Sequence, residues 1–258
     1  MQFIKIDRAG PLTTVTLDRA DVLHAINPAM HDELEFAFES FANDSAQKIC
    51  IVTATGDRAF CVGSDLKAIS EAGGPVPYPA HGYAGLIERF DCNKPFIAAV
   101  NGLALGGGLE IVLACDIVIC ADHATFGLPE PLVGAVALGG GLHRLARQIP
   151  YKQAMGAILA SRRLIAADGF RMGFVNEVAA PGALAATVQQ WVDDILRASP
   201  IAIQTSKAVV NRGLAEACHA DAIGNQSACP EFVAWRQSGD INEGPRAFAE
   251  KRTPSWRS

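Results

Sequence analysis

The chain reads as an α/β fold with a mostly helical last third, and three observations carry that reading. Short apolar runs alternate with loops and helical stretches up to about residue 125, the pattern of an α/β layer. Beyond Gly139 the periodicity turns helical, punctuated by Pro150, Pro181, Pro200 and Pro230. At 258 residues the chain can bury a substantial core in one or two domains.

Each element has its own signal. Phe3–Ile6 and Leu12–Leu17 show alternation and β-branched residues, so with the Arg8-Ala-Gly-Pro11 connection they predict a hairpin. Asn27-Pro28 predicts a helix start, a cap followed by proline at the first helical position. Met30, Leu34, Ala37, Phe38 and Phe41 then mark one helical face. Ile49–Ala54 predicts a short buried strand and Gly56–Asp65 a loop. The breaker cluster Gly73-Gly-Pro-Val-Pro-Tyr-Pro79 predicts a mobile segment. A helix is expected over Tyr83–Phe90, and buried strands over Phe96–Val100 and Ile117–Cys120. Arg144–Gln148, Lys152–Ala160, Ala183–Leu196, Ile201–Arg212 and Ala215–Ala228 all predict helices. The expected division is a core over 1–197 and a helical region over 198–258, without a flexible linker between them.

Bulk properties remove several function classes. A net charge of −5 with no basic tract argues against a nucleic-acid partner, which wants clustered Lys and Arg. The seven cysteines show no C-x-x-C spacing, so neither a disulfide framework nor a zinc site is expected. The first residues lack a secretory pattern, and no apolar run reaches the ~20 residues of a membrane span. A cytoplasmic, reducing setting is the expectation. Gly106-Gly107-Gly108 is followed by Ile111 where a dinucleotide fingerprint needs glycine, and no phosphate-loop lysine follows any glycine run. The histidines show no helical pairing for a metal, and no Gly-x-Ser-x-Gly elbow is present.

Two glutamates twenty positions apart stand out. Glu110 is the only charged residue from Leu103 to Cys115, and a helix there gives it apolar neighbours at Leu113 and Ala114. A carboxylate on an apolar helix is either stranded or purposeful. The glycines before it let a backbone approach closely and leave N–H groups free. A free N–H beside a buried carboxylate is equipment for chemistry next to a carbonyl. Glu130 follows Phe126-Gly-Leu-Pro. Either glutamate alone reads more readily as structural, a buried ion-pair partner or a first-turn anion favoured by the helix dipole.

Longer stretches resemble the enoyl-CoA hydratase/isomerase (crotonase) family over nearly the whole chain. Gly56-Asp-Arg-Ala-Phe-Cys-Val-Gly63-Ser64-Asp65-Leu66-Lys67 is similar to its first signature loop. Lys94-Pro-Phe-Ile-Ala-Ala-Val-Asn-Gly102-Leu-Ala-Leu-Gly106-Gly107-Gly108-Leu-Glu110 is similar to its second. Asp116–Asp122, Phe126–Glu130 and Glu243–Arg252 continue the match in order. Asp65-Leu-Lys-Ala68, Gly82-Tyr-Ala-Gly-Leu86 and the ending through Trp256 look most like its carnitinyl-CoA dehydratase branch.

The resemblance implies a crotonase-like ββα spiral core with a C-terminal helical oligomerisation region. It implies an oxyanion hole from the Ser64 and Gly107 backbone N–H groups, and catalysis by Glu110 and Glu130. Ser64 is usually alanine in family hydratases, but only its backbone is needed. Ala25, Ser64, Asp65, Leu66, Lys67, Gly107, Phe248 and Lys251 would bind the acyl-CoA substrate, the last two from a neighbouring subunit. The implied assembly is a homo-oligomer, a trimer or a dimer of trimers, in fatty-acid metabolism. Coenzyme A enters with the substrate, and no other cofactor or metal is implied. Ala135-Val-Ala-Leu-Gly-Gly-Gly141 departs from the family, where many members carry a proline, in a stretch that helps line the acyl pocket. Rival readings are a double-bond isomerase and a CoA-binding or RNA-binding protein without turnover.

Overall fold

A computed structural model describes residues 1–74 and 77–258. Pro75 and Val76 of the breaker cluster lie outside the described residues. Two interleaved sheets organise the first part of the chain. Its elements are β1 (Ile4–Ala9), β2 (Leu12–Leu17), α1 (Pro28–Asn43), β3 (Ile49–Ala54), β4 (Ala59–Cys61), α2 (Leu66–Glu71), β5 (Phe96–Val100), β6 (Leu103–Leu105), α3 (Gly107–Ala114), β7 (Ile117–Ala121) and β8 (Thr125–Gly127). They continue with α4 (Gly141–Gln148), α5 (Tyr151–Leu159), β9 (Leu164–Ile165), α6 (Ala166–Met172) and β10 (Glu177–Ala179).

The larger sheet has the order β1-β2-β3-β5-β7-β10 and the smaller β4-β6-β8-β9. β1 pairs antiparallel with β2, and the other neighbours in the larger sheet are parallel. Chain order alternates between the two sheets, β3 to β4, β5 to β6, β7 to β8, with a helical segment after each pair. This is the expected ββα spiral. β5 is buried at every position, as a parallel strand covered on both faces must be. β2 alternates instead, with Thr13, Val15 and Leu17 inward.

α1 starts as its sequence dictates, with the Asn27 side chain accepting from the Met30 N–H at 2.9 Å. Its expected face is buried, and Phe38 and Phe41 meet Phe96 edge-on with centroids 5.7 and 5.2 Å apart.

Three local expectations are corrected. Tyr83–Phe90 is not an α-helix but a 3-10 turn over Tyr83–Gly85 followed by further turns. Ala84 there is left-handed, and a Cβ on Gly85 would lie 2.5 Å from the Glu35 Cα. Tight packing on α1 overrides helix propensity. The Gly56–Asp65 loop contains β4, only three residues long but fully buried. Ala215–Ala228 is helical only over α9 (His219–Asn225), below, and a short 3-10 turn.

The chain divides into two compact units, Met1–Phe90 with Phe96–Gln189, and Asp91–Pro95 with Gln190–Ser258. α7 (Leu184–Leu196) runs across that division. The second unit holds α8 (Pro200–Gly213), α9, α10 (Pro230–Gln237) and α11 (Asp240–Ala249). Its tail is tied by acidic residues of α11. Glu243 accepts from Arg252 and from the Ser255 N–H, and Asp240 from the Ser199 and Ser258 hydroxyls. No helix among the described residues is long and apolar enough to cross a membrane.

Phe41→Ala is expected to cost ~4 kcal/mol through the cavity beside Phe96, and Asn27→Ala ~1 kcal/mol through the lost cap. Equilibrium urea unfolding of the two variants measures both, and equal losses would contradict this account of α1.

Candidate active site

The smaller sheet builds the site. β4, β6 and β8 are parallel, so their carboxyl ends lie on the same side. Ser64 follows β4, Gly107 follows β6, and Glu130 follows β8. These ends touch. A Cβ on Gly63 would lie 3.0 Å from the Gly107 nitrogen, and one on Gly106 would lie 3.0 Å from Glu130 Oε1. Gly107 opens α3, so its N–H has no intrahelical partner. Among the described residues neither the Ser64 nor the Gly107 N–H meets an acceptor.

Glu110 sits three residues further along α3, only 3% exposed. Its Oε1 accepts the Gly141 N–H, at the start of α4, at 2.9 Å. The Gly139–Gly141 run approaches so closely that a Cβ on Gly139 would lie 2.3 Å from Glu110 Oε2. The stretch that departs from the family pattern is therefore the cradle of this carboxyl. Burial pushes Glu110 up to about 7; the Gly141 N–H opposes the shift, and the neighbouring Glu130 charge adds to it. Glu130 is raised too, chiefly by burial, and its Oε2 is buried with no hydrogen-bond partner among the described residues.

The other expected residues fall into two places. Ala25 is buried, and Arg19 holds its carbonyl at 2.8 Å while pairing with Asp65 at 2.7 Å. Asp65 caps α2 by accepting the Lys67 and Ala68 N–H groups, so Leu66 and Lys67 stand exposed in its first turn. Lys67 Nζ lies 3.8 Å from Glu71. Phe248 and Lys251 belong to the second unit. Phe248 is 87% exposed on α11, and Lys251 takes a left-handed conformation just after it.

Tyr83, Gly139, Gly141 and Arg144 join the site, and the sequence marks Tyr83 only within Gly82-Tyr-Ala-Gly-Leu86 and the glycines only within Gly139-Gly-Gly141, with no catalytic role for either. Arg144 donates to the Ile87 carbonyl at 2.6 Å, and its charge reaches Glu110. Glu35, Glu39 and His81 bring potential metal ligands within 4.8 Å of one another, but the buried Arg89 guanidinium already pairs with both carboxylates.

The arrangement offers two N–H donors for a developing oxyanion and two carboxyls whose hold on a proton is strengthened by burial, that of Glu110 up to about 7. Because the folded state raises Glu110 from 4.5 to about 7, it binds more protons there than the unfolded chain does. The stabilising contribution is complete below about 4.5 and is lost as pH rises through about 7. Glu110→Gln keeps an acceptor for the Gly141 N–H and should therefore stabilise the protein at pH ~8 by up to ~3 kcal/mol, with no gain below pH ~4. Urea unfolding across that range checks this, and a gain independent of pH would refute it.

Comparisons with known proteins bear on the family. The family model described as enoyl-CoA hydratase/isomerase matches residues 7–258. A carnitinyl-CoA dehydratase of Salmonella arizonae is 37% identical over 259 residues, spanning 98% of each chain. The crystal structure of an enoyl-CoA hydratase from Mycobacterium tuberculosis H37Rv superposes with a TM-score of 0.92 at 32% identity, covering 100% of this chain and 99% of that one. A carnitinyl-CoA hydratase structure from Mycobacterium avium gives 0.78 at 37% identity, covering 100% and 99%. The spiral of paired strands is thus the crotonase fold, and the chain belongs to the enoyl-CoA hydratase/isomerase family.

Proposed function

We propose that this chain adds water reversibly across the 2,3 double bond of a 2-enoyl-CoA thioester, with Glu110 and Glu130 as its acid–base pair. The observation that carries the reading is the pairing of two carboxyls that burial makes harder to ionise, Glu110 buried and Glu130 half-buried, with unpaired N–H groups at neighbouring strand ends. Water attacks C3, the C2–C3 π electrons move toward the carbonyl, and charge builds on the thioester oxygen. The Ser64 and Gly107 N–H groups receive that charge, and one such donor is worth ~3 kcal/mol in the transition state. Glu110 takes the proton from water and Glu130 supplies one at C2. The sum is substrate plus water, so no redox cofactor or metal enters the balance, and coenzyme A arrives with the substrate. Both carboxyls act on one water, so their titrations are coupled.

Run backwards, the same steps remove water from a 3-hydroxyacyl-CoA. The likeness to carnitinyl-CoA dehydratases favours that direction on a carnitinyl-type thioester as the second reading. Fatty-acid metabolism and a cytoplasmic setting belong to the proposal at the level of the family.

Glu110→Gln and Glu130→Gln should each lower turnover at least ~100-fold with little change in acyl-CoA affinity, and the double variant should be little worse. Loss of 2-enoyl-CoA absorbance measures this. Loss confined to Glu130→Gln, with fast turnover of a 3-enoyl-CoA, would make the enzyme an isomerase. Two active variants would make the pair structural.

Lys67, at the exposed start of α2, is proposed to meet a coenzyme A phosphate. Phe248 and Lys251 are proposed to complete that site from a neighbouring subunit of a trimer or dimer of trimers. The exposed Val210, Leu214, Val233 and Phe248 of the second unit support an assembly through these helices. Lys67→Ala and Lys251→Ala should each raise KM and flatten its rise with ionic strength, since such contacts are screened by salt. Sedimentation should give trimer or hexamer masses, and a fully active monomer would remove the shared site.

A further inference from the structure

Tyr83 touches both loops that present the unpaired N–H groups. Its ring lies so close over Gly107 that a Cβ there would be 2.3 Å from the ring Cζ and 2.4 Å from the hydroxyl oxygen. Its hydroxyl is also 3.3 Å from Ser64 Oγ. The side chain is 2% exposed, and burial keeps its hydroxyl protonated far above neutrality.

The turn that carries it is held firmly from behind. The His31 Nδ1 accepts the Ala84 N–H at 3.0 Å, and the His31 ring meets the Tyr83 ring edge-on at 4.7 Å. Arg89 Nε donates to the Gly85 carbonyl at 3.1 Å. Gly85 rests against the backbone of Glu35 in α1. A ring mounted this rigidly can set the position of what it touches.

We propose that Tyr83 is the positioning residue of the oxyanion pair. Its ring limits how the Gly107 loop can move, and its hydroxyl, through the Ser64 side chain, ties the second loop to the same anchor. A serine at position 64 thereby has a use for its hydroxyl as well as its backbone. Tyr83 moves no proton in the reaction. The inference rests on the hydratase reading for the turnover measurement alone.

The test uses 2,4-hexadienoyl-CoA, whose absorbance moves to longer wavelength when its thioester carbonyl is polarised. The parent enzyme should show that shift on binding. Tyr83→Phe keeps the ring and should shrink the shift, lowering kcat ~10-fold while Kd changes less than ~3-fold, because a small misplacement of donors is felt mainly in the transition state. Ser64→Ala should do the same, and the double variant should lose no more than either. Ser64→Ala also reports on the tether if Tyr83→Phe does not fold. A full shift and full turnover in either variant would overturn the proposal, and so would losses that simply add. A parent that polarises the dienoyl group without hydrating 2-enoyl-CoA would end the hydratase reading, and the shift alone would then decide the role of Tyr83. A parent that does not polarise it would end both.

Discussion

No side chain fits between the ends of β4 and β6, and most of the site depends on that exclusion. A Cβ on Gly108 would lie 2.0 Å from the Cys61 carbonyl oxygen, and one on Gly63 would press on the Gly107 nitrogen at 3.0 Å. Contact between bare backbones fixes where α3 begins. It therefore fixes the direction of the Gly107 N–H and, one turn along, the entry point of Glu110. The two functions proposed for them, holding charge on oxygen and moving a proton, share one geometric origin.

The other side of this arrangement is an acid kept from water. Glu110 accepts the Gly141 N–H and is also held by the Gly139 backbone, and burial outweighs both. Glu130, with a buried oxygen lacking a partner among the described residues, is in a similar position. Such groups weaken a fold unless something else compensates, and the fully buried β5 with its aromatic contacts to α1 supplies apolar packing in the same unit. Dipoles fixed during folding need no rearrangement when charge appears on a substrate.

Legibility in the sequence followed the physical range of each interaction. Local signals worked. Asn27-Pro28 marks the start of α1, the alternation in β2 shows its inward face, and the apolar runs of β3, β5 and β7 read directly as buried strands. Glu110 was visible because a lone charge on an apolar helix is a local anomaly. What stayed hidden was set by distant contacts. β4 is too short to show a period, and the Tyr83–Gly85 turn takes its shape from Glu35, which lies almost fifty residues earlier. The meaning of Gly139-Gly-Gly141 was equally out of reach, because it is defined by Glu110 across the site and not by its own neighbours. The family resemblance supplied Ser64 and Gly107, which composition alone could not single out.

The spiral separates two kinds of responsibility. Strand ends from successive repeats deliver Ser64, Gly107 and Glu130, so those positions are set by the periodic architecture. The Ala135–Leu138 stretch lies outside the repeat, in the connection between Glu130 and α4, whose length the sheets do not dictate. Drift in those four residues can alter the surroundings of the site while the strand ends and the Gly139–Gly141 cradle of Glu110 stay inherited. A lineage built this way can diversify its substrates without having to rediscover its chemistry.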